Sequence, residues 1–96
     1  MTVESRKKLK VVLSGTAESD LLSWEGGVGV FEADGEFNDG TVTLQRSVDG
    51  GTTWTDMGEH TTLTASGGGR FVASNATKLR VTAGGTGPVA VVLYHL

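Results

Sequence analysis

The chain has 96 residues, a formal net charge of −3, one proline, fifteen glycines and no cysteine. That length makes one domain, and the missing cysteine excludes both a disulfide staple and a thiolate metal site. The acidic balance argues against nucleic acid as the main partner, and no apolar run reaches the ~20 residues of a membrane-spanning helix.

A chain of this size buries only roughly 60–65% of its unfolded surface. Association with further subunits is therefore expected to add stability by mass action. Residues 1–8 read as a basic arm carrying Arg6, Lys7 and Lys8, and residues 9–96 read as the folded domain. A basic terminus is commonly just solvated; the functional reading is contact with an acidic partner surface. The run Leu9-Lys10-Val11-Val12-Leu13 is too short for the apolar core of a secretory leader, so none is expected.

Threonine and valine dominate the remainder and glycine punctuates it, which predicts an all-β chain. Leu9 to Ser14 forms a first strand, with Leu9, Val11 and Leu13 on one face. Within Gly15 to Ser23, Ser19-Asp20-Leu21-Leu22 fits either a helical turn capped by Ser19 or a crossing loop, and the segment is read as a loop; Trp24 leads into a turn at Glu25-Gly26-Gly27. Val28 to Ala33 is a second strand. Asp34 to Gly40 bends the chain, with Asp39-Gly40 as the tight-turn dipeptide. Thr41 to Ser47 alternates most clearly, Val42 and Leu44 against Thr41, Thr43 and Gln45. Thr53 to Met57 returns, and Thr61 to Thr64 is short. Ser66 to Gly69 reads as flexible, Phe71 to Ser74 as a strand, and Lys78 to Ala83 as an alternating strand. Ala83 to Gly87 turns the chain into Val89 to Leu96.

The last run is apolar on both faces: Val89, Val91 and Leu93 on one, Ala90, Val92 and Tyr94 on the other. Such a strand is either central in its sheet or covered by a neighbouring subunit. About eight short antiparallel strands at this spacing predict a single small β-sandwich of jelly-roll or immunoglobulin-like type. The absent cysteine pair disfavours an antibody-type domain.

One octapeptide, Ser47 to Trp54 (SVDGGTTW), has the spacing called an Asp-box in sialidases. Each residue has a local task. Asp49 accepts hydrogen bonds from backbone N–H groups just after it. Gly50 and Gly51 tolerate the positive φ of a tight reversal. Ser47 and Thr53 bond across the base, and Trp54 covers the turn. A propeller needs roughly four or more blades, each with its own copy; here there is one full copy, with a fragment at Asn38-Asp39-Gly40-Thr41. The octapeptide therefore reads as a stabilised hairpin.

No catalytic constellation emerges, and the chain is read as a non-enzyme with no cofactor and no metal. His60 and His95 lack zinc spacing, and neither a nucleophile elbow nor a P-loop is present. The glycine runs precede strands, so they lack the helix N-terminus that cradles phosphate. Glu32, Asp34, Glu36 and Asp39 could in principle hold calcium or act as a glycosidase pair. Glu32, Asp34 and Glu36 alternate on one strand face, however, as a solvated face does. Trp24, Trp54 and Tyr94 could stack on sugars, but in so small a domain aromatic rings more commonly belong to the core.

A longer stretch, from Trp24 through Trp54, carries a family likeness. A Trp-x-Gly-Gly opening is followed by Gly-x-Phe, then Gly-Thr-Val-Thr-Leu-Gln, then Ser-x-Asp-Gly-Gly-Thr-x-Trp; Leu79-Arg80-Val81-Thr82 and the valine-rich last strand follow. This pattern resembles small β-sandwich virion proteins of tailed bacteriophages over about two thirds of the chain. The charged Glu25 and the Glu32-to-Asp39 segment depart from it. The resemblance implies a structural protein of the particle, made in the host cytoplasm and located in the virion, such as a capsid decoration (cement) protein. It implies a homo-oligomer, with a trimer favoured, and the major capsid protein or other virion proteins as partners. The interface residues expected on this reading are Arg6, Lys7 and Lys8 of the arm and Val92 and Tyr94 of the last strand. The competing expectation is a carbohydrate-binding or host-recognition module of a tail or a larger enzyme, which requires an exposed aromatic platform.

Overall fold

The computed structural model describes residues 7–57 and 62–96, with the backbone alone described for Lys7, Lys8, Ala76 and Thr86. Six strand elements follow one another: β1 (Lys7–Glu18), β2 (Leu22–Gly35), β3 (Thr41–Ser47), β4 (Thr55–Asp56), β5 (Thr62–Leu63) and β6 (Gly67–His95).

β6 organises the sheet. Its first part pairs with β2, from Gly67 opposite Ala33 to Leu79 opposite Leu22. Its middle pairs with β3, from Lys78 opposite Ser47 to Gly84 opposite Thr41. Its last part runs between two partners. β1 lies on one edge, from Val89 opposite Leu13 to Tyr94 opposite Lys7, and β2 on the other, from Val89 opposite Gly35 to His95 opposite Gly29. In every one of these pairings the partner number falls as the β6 number rises, so the neighbours run in opposite directions. β2 is thus flanked by the start of β6 on one edge and by its end on the other. The sheet closes into a barrel-like ring, and β4 and β5 line the second edge of β3.

A strand can close such a ring only by bending. Gly26 and Gly27, at φ 92° and 93°, sit where the register of β2 shifts against Asn75 and Ala73. An L side chain rarely adopts that conformation, so glycine lets β2 kink without leaving its ladder. A second corner joins paired strands: the register of β1 shifts on both sides of Gly15, which faces Thr86 of β6, beside Gly85. The expected turns at Glu25–Gly27 and Ala83–Gly87 are therefore bends inside continuous strands. The same continuity corrects the strand count: six elements replace about eight, because three of them run through expected breaks.

Other boundaries move for local reasons. The expected loop from Gly15 to Ser23 shrinks, since β1 continues to Glu18 and β2 begins at Leu22. Ser19 holds the short connection: its N–H donates to the Val81 carbonyl (2.8 Å) and its Oγ accepts from the Val81 N–H (2.9 Å). Gly67 to Gly69, expected to be flexible, opens β6 by pairing with Ala33, Glu32 and Phe31. In the bend before β3, Asn38 and Asp39 carry the positive φ (47° and 64°), and the Gly40 N–H closes the turn on the Phe37 carbonyl at 2.7 Å. The tight-turn pair is therefore Asn38-Asp39, not Asp39-Gly40. The return after the octapeptide is regular only over Thr55–Asp56, and the next strand only over Thr62–Leu63; Thr61 lies outside the described residues.

The core fills the ring by strand alternation. Val89, Val91 and Leu93 of the last strand are fully buried, beside Phe31, Val42, Leu44, Leu79 and Val81. Each such side chain contributes about 1.5–3 kcal/mol by leaving water. Gly29 is the tightest point of this packing. A Cβ there would lie 2.4 Å from the Phe71 ring and 2.8 Å from the Trp24 ring. Gly29→Ala is expected to lower stability by roughly 1–3 kcal/mol through overpacking. Urea unfolding measures this, and an unchanged midpoint would mean that the two rings have room to retreat.

Candidate functional site

Three places gather the residues that the sequence singles out: the octapeptide hairpin, the aromatic cluster at the end of β6, and the outer face of the sheet around the last strand.

In the hairpin, β3 ends at Ser47, which is 1% exposed. Its Oγ donates to Asp49 Oδ1 at 2.6 Å and accepts from the Gly51 N–H at 2.8 Å. Asp49 Oδ1 also accepts from the backbone N–H groups of Thr52 (3.1 Å) and Thr53 (2.9 Å). Gly50 and Gly51 take the positive φ that the reversal needs, 80° and 105°. The Ser47 hydroxyl first, then the Thr53 backbone and side chain and the Thr52 backbone, hold the Asp49 carboxyl far below the usual carboxylate range. Asp49 itself is exposed; the buried hub of the turn is Ser47.

Trp54 is half-buried, and its Nε1 donates to the Gly51 carbonyl at 3.1 Å. The Arg80 guanidinium lies 4.2 Å over its ring. Arg80 also donates from Nε to Gln45 Oε1 (2.9 Å) and pairs with Glu18 at 3.1 Å, while Gln45 Nε2 donates to Asp56 Oδ1 at 2.8 Å. This network ties β1, β3, β4 and β6 to the hairpin. Its centre, Arg80, reads in sequence merely as one residue of the alternating Lys78-to-Ala83 strand. Only the register that sets Gln45 opposite both Arg80 and Asp56 reveals it.

A shallow depression of about 200 Å³ beside the hairpin is lined by Arg46, Val48, Asp49, Thr53 and Thr55. Its one carboxylate already accepts three hydrogen bonds at one oxygen, and no second acid lines it for glycosidase-type chemistry. Glu32, Asp34 and Glu36 are all exposed. Among the described residues, no three His, Asp or Glu side chains gather into a metal-binding group.

The aromatic cluster is internal. Trp24 is 2% exposed, donates from Nε1 to the Gly27 carbonyl (3.3 Å), and packs on Phe71 (5.0 Å) and His95 (4.8 Å between ring centroids). His95 is half-buried, with Nε2 at 2.7 Å from the Gly26 carbonyl, bracing the β2 corner. His60 lies outside the described residues. Trp24 is therefore withdrawn from any stacking platform.

The outer sheet face carries the two interface residues expected on the last strand. Val92 and Tyr94 are half-buried there, between β1 and β2. Val30, opposite Tyr94, extends the apolar surface, as do Val12 and Val72, which are 62% and 70% exposed. Lys7 and Lys8 belong to β1, and Arg6 lies outside the described residues.

No protein-family model, no curated protein and no solved structure matches this chain.

The hairpin reading has two measurable consequences. Ser47→Ala removes a buried donor–acceptor hub and is expected to cost about 1–3 kcal/mol, read as a lower midpoint of chemical unfolding. An unaffected midpoint would mean that the turn closes without its hub. A carboxyl whose folded pKa is lowered stabilises fully above its unfolded value, 3.8 for Asp49. That contribution is lost as pH falls from there toward the lower folded value. The Asp49 side chain, followed by NMR, is therefore expected to stay ionised at pH 3. Titration near pH 4 would contradict the bonding described.

Proposed function

We propose that this chain is a non-enzymatic structural protein of a tailed-phage particle, most specifically a capsid decoration protein that binds the assembled shell as an oligomer. The observation that carries the proposal is the outer face of the last strand. A solvated antiparallel sheet alternates polar residues outward, yet here Val12, Val30, Val72, Val92 and Tyr94 point out. Contiguous apolar surface of this kind marks interaction sites. The apolar face is read as the surface between subunits of that oligomer, and the likeness of the Trp24-to-Trp54 pattern to phage virion proteins supplies the oligomer's partners: the major capsid protein or its neighbours in the virion, met after synthesis in the host cytoplasm.

The sandwich form belongs to the same proposal. Principal extents of 36 × 34 × 21 Å describe a flattened body. Two sheets packed about 10 Å apart, with outward side chains, have that thickness. We read the ring as a barrel flattened into two layers, the form that the resemblance implies. The carbohydrate-binding reading is the weaker one, since Trp24 is buried and the Trp54 ring is covered by Arg80.

Sedimentation of the purified protein with mature phage capsids tests the role. Co-pelleting at saturable stoichiometry is expected; its absence refutes a decoration function. In the same assay the triple variant Arg6→Ala, Lys7→Ala, Lys8→Ala is expected to bind more weakly, with a reduced dependence on salt. Undiminished binding would discard the basic segment as a contact.

A further inference from the structure

The outer face has a charge pattern as well as an apolar one. Cross-strand registers set residues of β1, the last part of β6 and β2 in rows across the sheet. One row reads Lys10, Val92, Glu32; the next reads Val12, Ala90, Asp34. Lys10 and Glu32 are both exposed, on opposite sides of Val92. Their strands lie about 10 Å apart with β6 between them. Neither has an ion-pair partner among the described residues.

We infer that this face binds a second copy of the same chain about a two-fold axis parallel to the last strand. A rotation about that axis exchanges left and right while keeping each row at its level. Val92 of one copy then meets Val92 of the other. Lys10 of each copy lies over Glu32 of its mate, so the two unpaired charges complete each other twice. The alternative two-fold axis, running across the strands, sets Lys10 over Lys10 and Glu32 over Glu32, and like charges brought together oppose association. Asp34, in the outer row, comes to face Val12. Its carboxylate already accepts the Ser66 hydroxyl at 2.7 Å.

A patch that complements itself is the signature of a two-fold interface, whereas a three-fold ring joins two different patches. The charge pattern therefore favours a dimer on this face over the trimer that the virion resemblance implies. Sheet-on-sheet packing within about 30° of parallel lets the valines interdigitate. This pairing does not depend on the phage reading, because it concerns the isolated protein.

Sedimentation equilibrium on the full-length protein over a range of concentrations, at low salt, tests it. The native chain is expected to behave as a reversible dimer. K10E and E32K each replace two attractions with two repulsions and are expected to raise the dimer dissociation constant roughly tenfold or more. Circular dichroism checks that both variants stay folded, which their exposed positions favour. An equimolar mixture of K10E and E32K pairs Glu with Lys across both contacts, and is expected to regain dimer as the mixed species. The double variant K10E/E32K is expected to regain it alone. A monomeric or trimeric native chain, single variants that dimerise normally, or a mixture that stays monomeric would each overturn the inference.

Discussion

β6 runs over 29 residues and is paired along one edge or both through most of them while it turns around the body. Because its start and its end flank the same stretch of β2, the ring closes, and every other element takes its place from that closure. Among the described residues, β1 is held by the middle and last parts of β6, and β3 by the middle part of β6 and the two short strands beyond it. The chain bends at the corners marked by Gly15, Gly26 and Gly27. His95 reaches back from the end of β6 to the Gly26 carbonyl, and the Leu96 N–H donates to the Val28 carbonyl at 3.0 Å. The end of the chain thus braces the corner that lets β2 follow the ring.

The octapeptide is subordinate to this arrangement. Ser47 ends β3 and is buried where β3 meets Lys78 of β6. From that anchored hydroxyl the carboxylate of Asp49 collects its donors, and the reversal is set. Trp54 then lies under Arg80, which also grips Gln45 and Glu18. A motif that suggests sugar chemistry on sight is, in its bonds, a clamp between the hairpin and the outer surface of the sheet. Its acid accepts three local donors at one oxygen.

The association surface proposed above lies over the last part of β6. Central strands shield one another's backbone, so affinity there must come from side chains rather than from added strand pairing. Val92 there lies between opposite charges, Lys10 and Glu32, at one level, and a pattern of that kind would discriminate between orientations of a partner as well as favour one.

Much of this was legible in the sequence. Alternation placed β3 from Thr41 to Ser47 and divided the last strand into a Val89, Val91, Leu93 face and an Ala90, Val92, Tyr94 face, because burial on one face of a strand imposes a period of two; which of the two faces is inside came from the fold. The octapeptide announced its turn, because Asp, Ser and Gly act there through bonds only a few residues long. What failed was the reading of glycine as punctuation: Gly15, Gly26, Gly27 and Gly85 look alike in sequence whether the chain reverses or merely bends. The choice depends on whether a partner strand remains alongside, and that is a long-range fact. In the same way Trp24 and Trp54 are indistinguishable by type, yet one is buried against Phe71 and the other lies at the surface under Arg80. The sequence by itself determined the all-β character, the division of its strands into two faces and the chemistry of the hairpin, since these rest on local periodicity and local hydrogen bonds. Only the tertiary structure decided the closure of the ring, the Arg80 clamp and the rows that set Lys10 and Glu32 about Val92. Those depend on strand register, which is fixed by residues far apart in the chain.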